Sequence, residues 1–257
     1  MLTKVYDTPA VYCLNVPLPE NPLKNLNCYI IQDSGETLIL DTGFNRPECL
    51  EALMAGMEEL SADWSKTNLF LTHLHSDHTG LAPTLMKDKP GKIYMSRVDY
   101  DYFESIMVGE VWKESDRNFI AEGFTEEQIM RLHSENPARG YEPERFFSVT
   151  ALEDGDILHV GKWAFSCILV PGHTPGQMVL YQPQEKLMFT ADHILFDITP
   201  NITCWVGTQD SLGNYLDSLV KIRQYEIRTA LPAHRKNDMD VYVRMDQIIE
   251  HHLNRLK

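Results

Sequence analysis

Short β-rich runs of mostly apolar residues, parted by turn residues, open the chain. Residues 11–16, 27–32 and 37–41 read as strands of one sheet, the last two separated by Asp33-Ser34-Gly35. Asn45 with Pro47 supplies a helix start, and Leu50, Leu53, Met54 and Met57 then recur at helical spacing. An apolar run at 68–72 predicts a buried strand. It delivers the chain into His73-Leu74-His75-Ser76-Asp77-His78, after which Thr79 is expected to cap a helix from near Gly80 to about Lys87.

From about 96 to 145 the period lengthens, with Tyr100, Phe103, Ile106, Met107, Val111, Ile120, Phe124, Ile129 and Leu132 in a long helical stretch. This predicts a helical insertion that packs its own core or caps a site. Strands return at 157–160, 164–170, 178–181 and 186–190. Asp210 opens a helix carrying Leu212, Leu216, Leu219 and Ile222, a strand follows at 228–231, and Asn237 is expected to start a last helix. The second half therefore resembles the first, and residues 1–257 are expected to form a single domain around the insertion.

Composition narrows the function. Thirty-seven acidic against 23 basic residues give a formal charge of −14, with no basic patch, which disfavours a nucleic-acid partner. No apolar run approaches the ~20 residues of a membrane span. The five cysteines, Cys13, Cys28, Cys49, Cys167 and Cys204, are too scattered for a metal finger and fit reduced thiols. The first 19 residues hold no basic segment leading into an apolar stretch, so a cytoplasmic location and a small-molecule substrate are expected. Oligomeric state is left open.

The chemistry is concentrated in a few residues. His73 and His75 are two apart, so an extended backbone projects both imidazoles to one side, where they can share an ion. Asp77 and His78, on a tightening loop, can face a second position beside it. His173 in Pro171-Gly172-His173-Thr174-Pro175-Gly176, Asp192 in Thr190-Ala191-Asp192 and His234 in Leu231-Pro232-Ala233-His234 each close a predicted strand, which brings them to one edge of the sheets.

In order and approximate spacing, Asp41-Thr42-Gly43, the His73 to His78 run, Gly172-His173-Thr174, Asp192 and His234 resemble the metallo-β-lactamase-fold hydrolase superfamily. The likeness covers most of the chain and is nearest to the glyoxalase-II-like and uncharacterised hydrolase members. It implies an α+β fold, a four-layer αββα sandwich. By the same resemblance His73, His75 and His173 hold one metal ion and Asp77, His78 and His234 a second, Asp192 bridges them, and Asp41 orients a ligand imidazole.

Two divalent ions bring about +4, and the two aspartates with a hydroxide remove about three, so a site near about +1 favours an anionic intermediate. Zinc is the first expectation, with iron or manganese as alternatives. Hydroxide on the metal is the expected nucleophile, and Asp77 is a candidate proton shuttle. His75 separates the chain from the iron flavoprotein reductases that resemble it but carry a glutamate there. Gln177 stands where glyoxalase-II-like members often have a further histidine. His193-Ile194-Leu195-Phe196 lacks the tyrosine that some lactonases have after the bridging aspartate. His193 is a candidate for substrate contact. The expected activity is hydrolysis of an ester, thioester or lactone of a small metabolite. The alternatives are a mononuclear iron persulfide dioxygenase and a ligand-sensing module that keeps the metals with little turnover.

Overall fold

The computed structural model describes residues 1–135 and 140–257; residues 136–139, inside the predicted insertion, lie outside the described residues. A seven-stranded sheet runs in chain order through β1 (Leu2–Tyr6), β2 (Ala10–Pro17), β3 (Asn25–Asp33), β4 (Glu36–Leu40), β5 (Thr67–Phe70), β6 (Ile93–Ser96) and β7 (Thr150–Leu152). Tight turns keep β1 to β4 antiparallel, and longer connections make β4 to β7 parallel. A five-stranded sheet holds β8 (Ile157–Val160), β9 (Trp163–Leu169), β10 (Met178–Gln182), β11 (Leu187–Ala191) and β12 (Thr229–Pro232), in the reverse of chain order.

The helices are α1 (Pro47–Glu59), α2 (Ser76–Thr79), α3 (Ala82–Leu85), α4 (Arg97–Met107), α5 (Glu110–Ala121), α6 (Glu126–Ser134), α7 (Ser211–Ile222) and α8 (Val241–Arg255). None of those described is long and apolar enough to cross a membrane.

Period-two alternation sorts each strand between two cores. In β3, Leu26, Cys28 and Ile30 face the layer that holds α1, α3 and α4, while Tyr29 and Ile31 face the second sheet. In β10, Met178 and Leu180 face the first sheet, while Val179 and Tyr181 face α7 and α8. The result is the four-layer αββα sandwich. Phe70, Phe165 and Phe189 fill the space between the sheets, and Phe189 meets Tyr29 edge-on at 5.4 Å between ring centroids.

Several elements differ from expectation. The predicted helix at 80–87 is two short pieces, because Pro83 has no N–H to donate to the carbonyl of Thr79. Thr79 lies inside the first piece, its hydroxyl donating to the carbonyl of His75, and His75 takes the capping position. The last helix starts after Asp240, which accepts from the amides of Tyr242 and Val243, rather than at Asn237. β1, β6 and β7 were not foreseen: the middle of β1 is exposed, and β6 and β7 span only four and three residues.

Strand polarity positions the site. β9, β11 and β12 point the same way, as do β4 and β5, so the segments leaving them emerge together. Two backbone bonds stitch the sheets at that edge, from Met178 N to Thr72 O at 2.8 Å and from Asn27 N to Ala233 O at 2.7 Å. Truncating Phe189 to alanine is expected to destabilise the fold by about 3–5 kcal/mol in urea unfolding, whereas exposed Leu256→Ala should stay within about 0.5 kcal/mol.

Candidate metal centre

Seven side chains from strand-end segments meet at the stitched edge. Ligand atoms of His73, His75 and His173 lie within 4.8 Å of one another, as do those of Asp77, His78 and His234. His73 Nε2 and His75 Nδ1 are 3.1 Å apart. Asp192 lies between the two sets. Its Oδ2 is 3.5 Å from His173 Nε2, and its Oδ1 is 3.7 Å from His78 Nε2 and 3.4 Å from His234 Nε2. Asp77 Oδ2 faces His234 Nε2 at 3.4 Å and His78 Nε2 at 3.7 Å.

Four of the imidazoles are already engaged through the ring nitrogen turned away from the centre. His173 Nδ1 donates to the carbonyl of Asn201 at 2.7 Å and His234 Nδ1 to that of Asn25 at 2.9 Å. His78 Nδ1 meets Asp41 Oδ2 at 2.8 Å. The Thr72 hydroxyl donates to Asp41 Oδ2 at 2.9 Å and can then accept from His73 Nδ1 at 3.0 Å. With a carbonyl, a carboxylate or a hydroxyl already donating elsewhere as its partner, each of these Nδ1 atoms keeps its proton, which leaves Nε2 as the atom that faces the centre.

Nε2 of His78, His173 and His234 and Oδ1 of Asp192 are buried without a hydrogen-bond partner among the described residues. Leaving such atoms unpaired costs about 1–3 kcal/mol each, and divalent cations would satisfy all four. The donor set therefore fits metal ions.

The two sets differ electrically. Burial drives His73 well below the ordinary imidazole value, with His78 and His75 adding to the effect, and burial with nearby His173 takes His75 down to about 3. His173 is lowered, chiefly by burial. All three are neutral nitrogen donors at neutral pH. Burial pulls His78 down as well, but Asp41, Asp77 and Asp192 together lift it to about 10, and His234 is raised by Asp192 and Asp77 against its burial. That side favours positive charge, whether a proton or a cation. Burial raises the carboxyl of Asp77, yet His78 and His234 outweigh it and hold the group well below the usual carboxylate range.

Local backbone explains the motif residues. Gly172 has φ +139°, and a Cβ there would lie 2.5 Å from Cα of Tyr215, so only glycine lets this turn pass α7. Asp41, left-handed at φ 64°, turns its carboxylate back beneath the ligands and also accepts from Thr72 N at 2.8 Å.

His193 does not join the cluster. It is 0% exposed, its ring lies 5.2 Å from that of Tyr215, and the Tyr215 hydroxyl donates to its carbonyl, so its ring is packed toward α7 and away from solvent. Sequence reasoning missed Trp205, whose ring lies 5.7 Å from His75 and 5.3 Å from Tyr102 and whose Nε1 donates to the carbonyl of His173 at 2.9 Å. It also missed Asp99, buried beneath both ligand loops. Neither belongs to a motif. Asp99 reads as an ordinary acidic residue in a helix's first turn, and Trp205 sits in a loop without periodicity.

A sequence profile of the Metallo-beta-lactamase superfamily matches residues 22–234. An atrochrysone carboxyl ACP thioesterase from Emericella nidulans is 26% identical over 217 residues, covering 84% of this chain and 53% of that protein. An uncharacterized protein from Aquifex aeolicus is 26% identical over 206 residues, covering 79% and 78%. The chain spans about half the length of the fungal relatives it matches. A solved metallo-beta-lactamase family protein from Thermus thermophilus superposes with a TM-score of 0.80 at 26% identity, covering 96% of this chain and 80% of that one. A beta-lactamase domain protein from Burkholderia ambifaria, at 21% identity and a TM-score of 0.78, covers 99% and 76% and shares the fold. Profile, fold and the order of the clustered residues agree, and the chain belongs to the metallo-beta-lactamase superfamily.

Proposed function

We propose that this chain is a dinuclear metal-dependent hydrolase acting on a thioester, with esters and lactones of small metabolites as the wider substrate class. The observation that carries the reading is the placement of Asp192, one oxygen toward His173 and the other toward His78 and His234. A carboxylate so placed suits two ions better than one. This favours hydrolysis over a mononuclear iron dioxygenase, which would leave Asp77, His78 and His234 without employment. The choice of thioester rests on the relatives named as thioesterases.

His73, His75 and His173 would hold one ion and Asp77, His78 and His234 the other, with Asp192 shared. Bound there, two divalent ions, zinc first and iron or manganese as alternatives, supply hydroxide at neutral pH and a field that stabilises the oxyanion of the attacked carbonyl. The chain's own residues do the rest. Asp77, its side chain 14% exposed, is placed to carry the proton left on the attacking hydroxide to the departing thiolate. Trp205 and Tyr102 wall the His75 side. Beyond Tyr102 lies an open cleft of about 570 Å³ lined by Glu110, Lys113, Glu114 and Arg117 among others.

Purified protein should carry two metal ions per chain, lose hydrolysis of an acyl-thioester panel on chelation and regain it on reloading with zinc. A chain without stoichiometric metal, inactive on thioesters and esters after loading with zinc, manganese or iron, would refute the proposal. Asp41→Asn removes the charge directly behind His78 and, one hydroxyl further off, behind His73, so affinity for the second ion should fall about 10- to 100-fold and that for the first by less, as read by competition with a chromophoric chelator.

A further inference from the structure

The mechanism leaves one buried carboxylate unused. Asp99, in the first turn of α4, is 0% exposed, and among the described residues no lysine, arginine or histidine pairs with it. Its Oδ2 accepts from Leu74 N at 2.9 Å and from Thr174 Oγ1 at 2.7 Å, and its Oδ1 accepts from Gly176 N at 2.5 Å. Leu74 lies between His73 and His75, Thr174 follows His173, and Gly176 ends the same loop. All three donors thus belong to the two loops that carry the first ligand set.

Sterics lead to the same place. A Cβ on Gly176 would stand 2.4 Å from Asp99 N and 2.6 Å from Ser96 Oγ, so the last glycine of the Gly172 to Gly176 motif is there to let the loop reach α4. Three residues on, and so on the same face of α4, Tyr102 meets Trp205, which grips the His173 carbonyl. The second set is anchored elsewhere, His78 by Asp41 and His234 by Asn25.

A buried carboxylate without a cation costs more than a neutral residue unless its hydrogen bonds are satisfied, and this one's are satisfied by ligand loops alone. We propose that Asp99 is a positioning residue that ties the His73–His75 loop and the His173 loop to the helical insertion and sets the geometry of the three-histidine site. The ion it would position rests on the dinuclear reading above; the holding of the loops does not.

The test uses the full chain with Asp99→Asn, Thr174→Val and Thr174→Ser. In Asp99→Asn an amide NH₂ must face at least one of the three donors; Thr174→Val deletes one bond, and Thr174→Ser restores it. With Co(II) as probe, whose absorption separates a site of three imidazoles from one of two imidazoles and a terminal carboxylate, Asp99→Asn and Thr174→Val should weaken the first site about 10- to 100-fold. The second should be unchanged, and Thr174→Ser should match the parent. In chelator-treated protein, amide exchange at Leu74 and Gly176 should accelerate in Asp99→Asn while β3 and β10 keep their protection. Parental first-site affinity in both Asp99→Asn and Thr174→Val, equal weakening of both sites, or unchanged exchange at the two amides overturns the proposal. A parent chain that binds no ion removes the dinuclear reading instead, and the exchange measurement then decides the role of Asp99 by itself. Should Asp99→Asn fail to fold, the Thr174 pair decides it.

Discussion

Everything at this centre depends on inward-facing atoms that have no hydrogen-bond partner among the described residues. The Nε2 atoms of His78, His173 and His234 are aimed at the centre because the opposite nitrogen is held by a carbonyl or by Asp41, and Asp192 sits between the imidazoles with one oxygen buried and unpaired. Such an arrangement is unfavourable by itself. It persists because stiff strands deliver every residue of it, and its cost is offset when cations complete the contacts. The rest of the molecule is the support that keeps these atoms from relaxing into hydrogen bonds with one another.

That support comes from three directions. The first sheet supplies Asp41, which reaches His78 directly and His73 through the Thr72 hydroxyl. Asn25 at the start of β3 and Asn201 in a loop supply carbonyls, and the bonds across the seam close the same edge. The insertion enters through one face of α4. A segment that looks appended in the chain is therefore part of the wall of the site, since Tyr102, Trp205 and His75 form one run of packed rings.

The histidine and aspartate constellation was legible in the sequence because its chemistry is local: two imidazoles two residues apart, or a Gly-His-Thr turn after a strand, announce themselves. The central strands were equally plain, since sheets buried on both faces write short apolar runs that end at turn residues. What escaped has physical reasons. Asp99 acts across 25 residues on Leu74 and across 77 on Gly176, and nothing around it distinguishes it from an acidic residue at a helix start. His193 looked available because it adjoins Asp192, but the turn that follows β11, closed by His193 N on the Thr190 carbonyl, carries its ring to the α7 side. The split between α2 and α3 was written in Pro83, which the helical reading passed over.

The division of ligands between the sheets has one more consequence. Each three-residue set takes two members from the loop after β5 and one from the second sheet, His173 in one case and His234 in the other. Neither half of the chain can offer more than two members of either set, so an ion recognises only the docked pair. By linkage, the free energy of any ion captured there would be added to the cohesion of the sandwich, and metal availability would act as a clamp on tertiary structure.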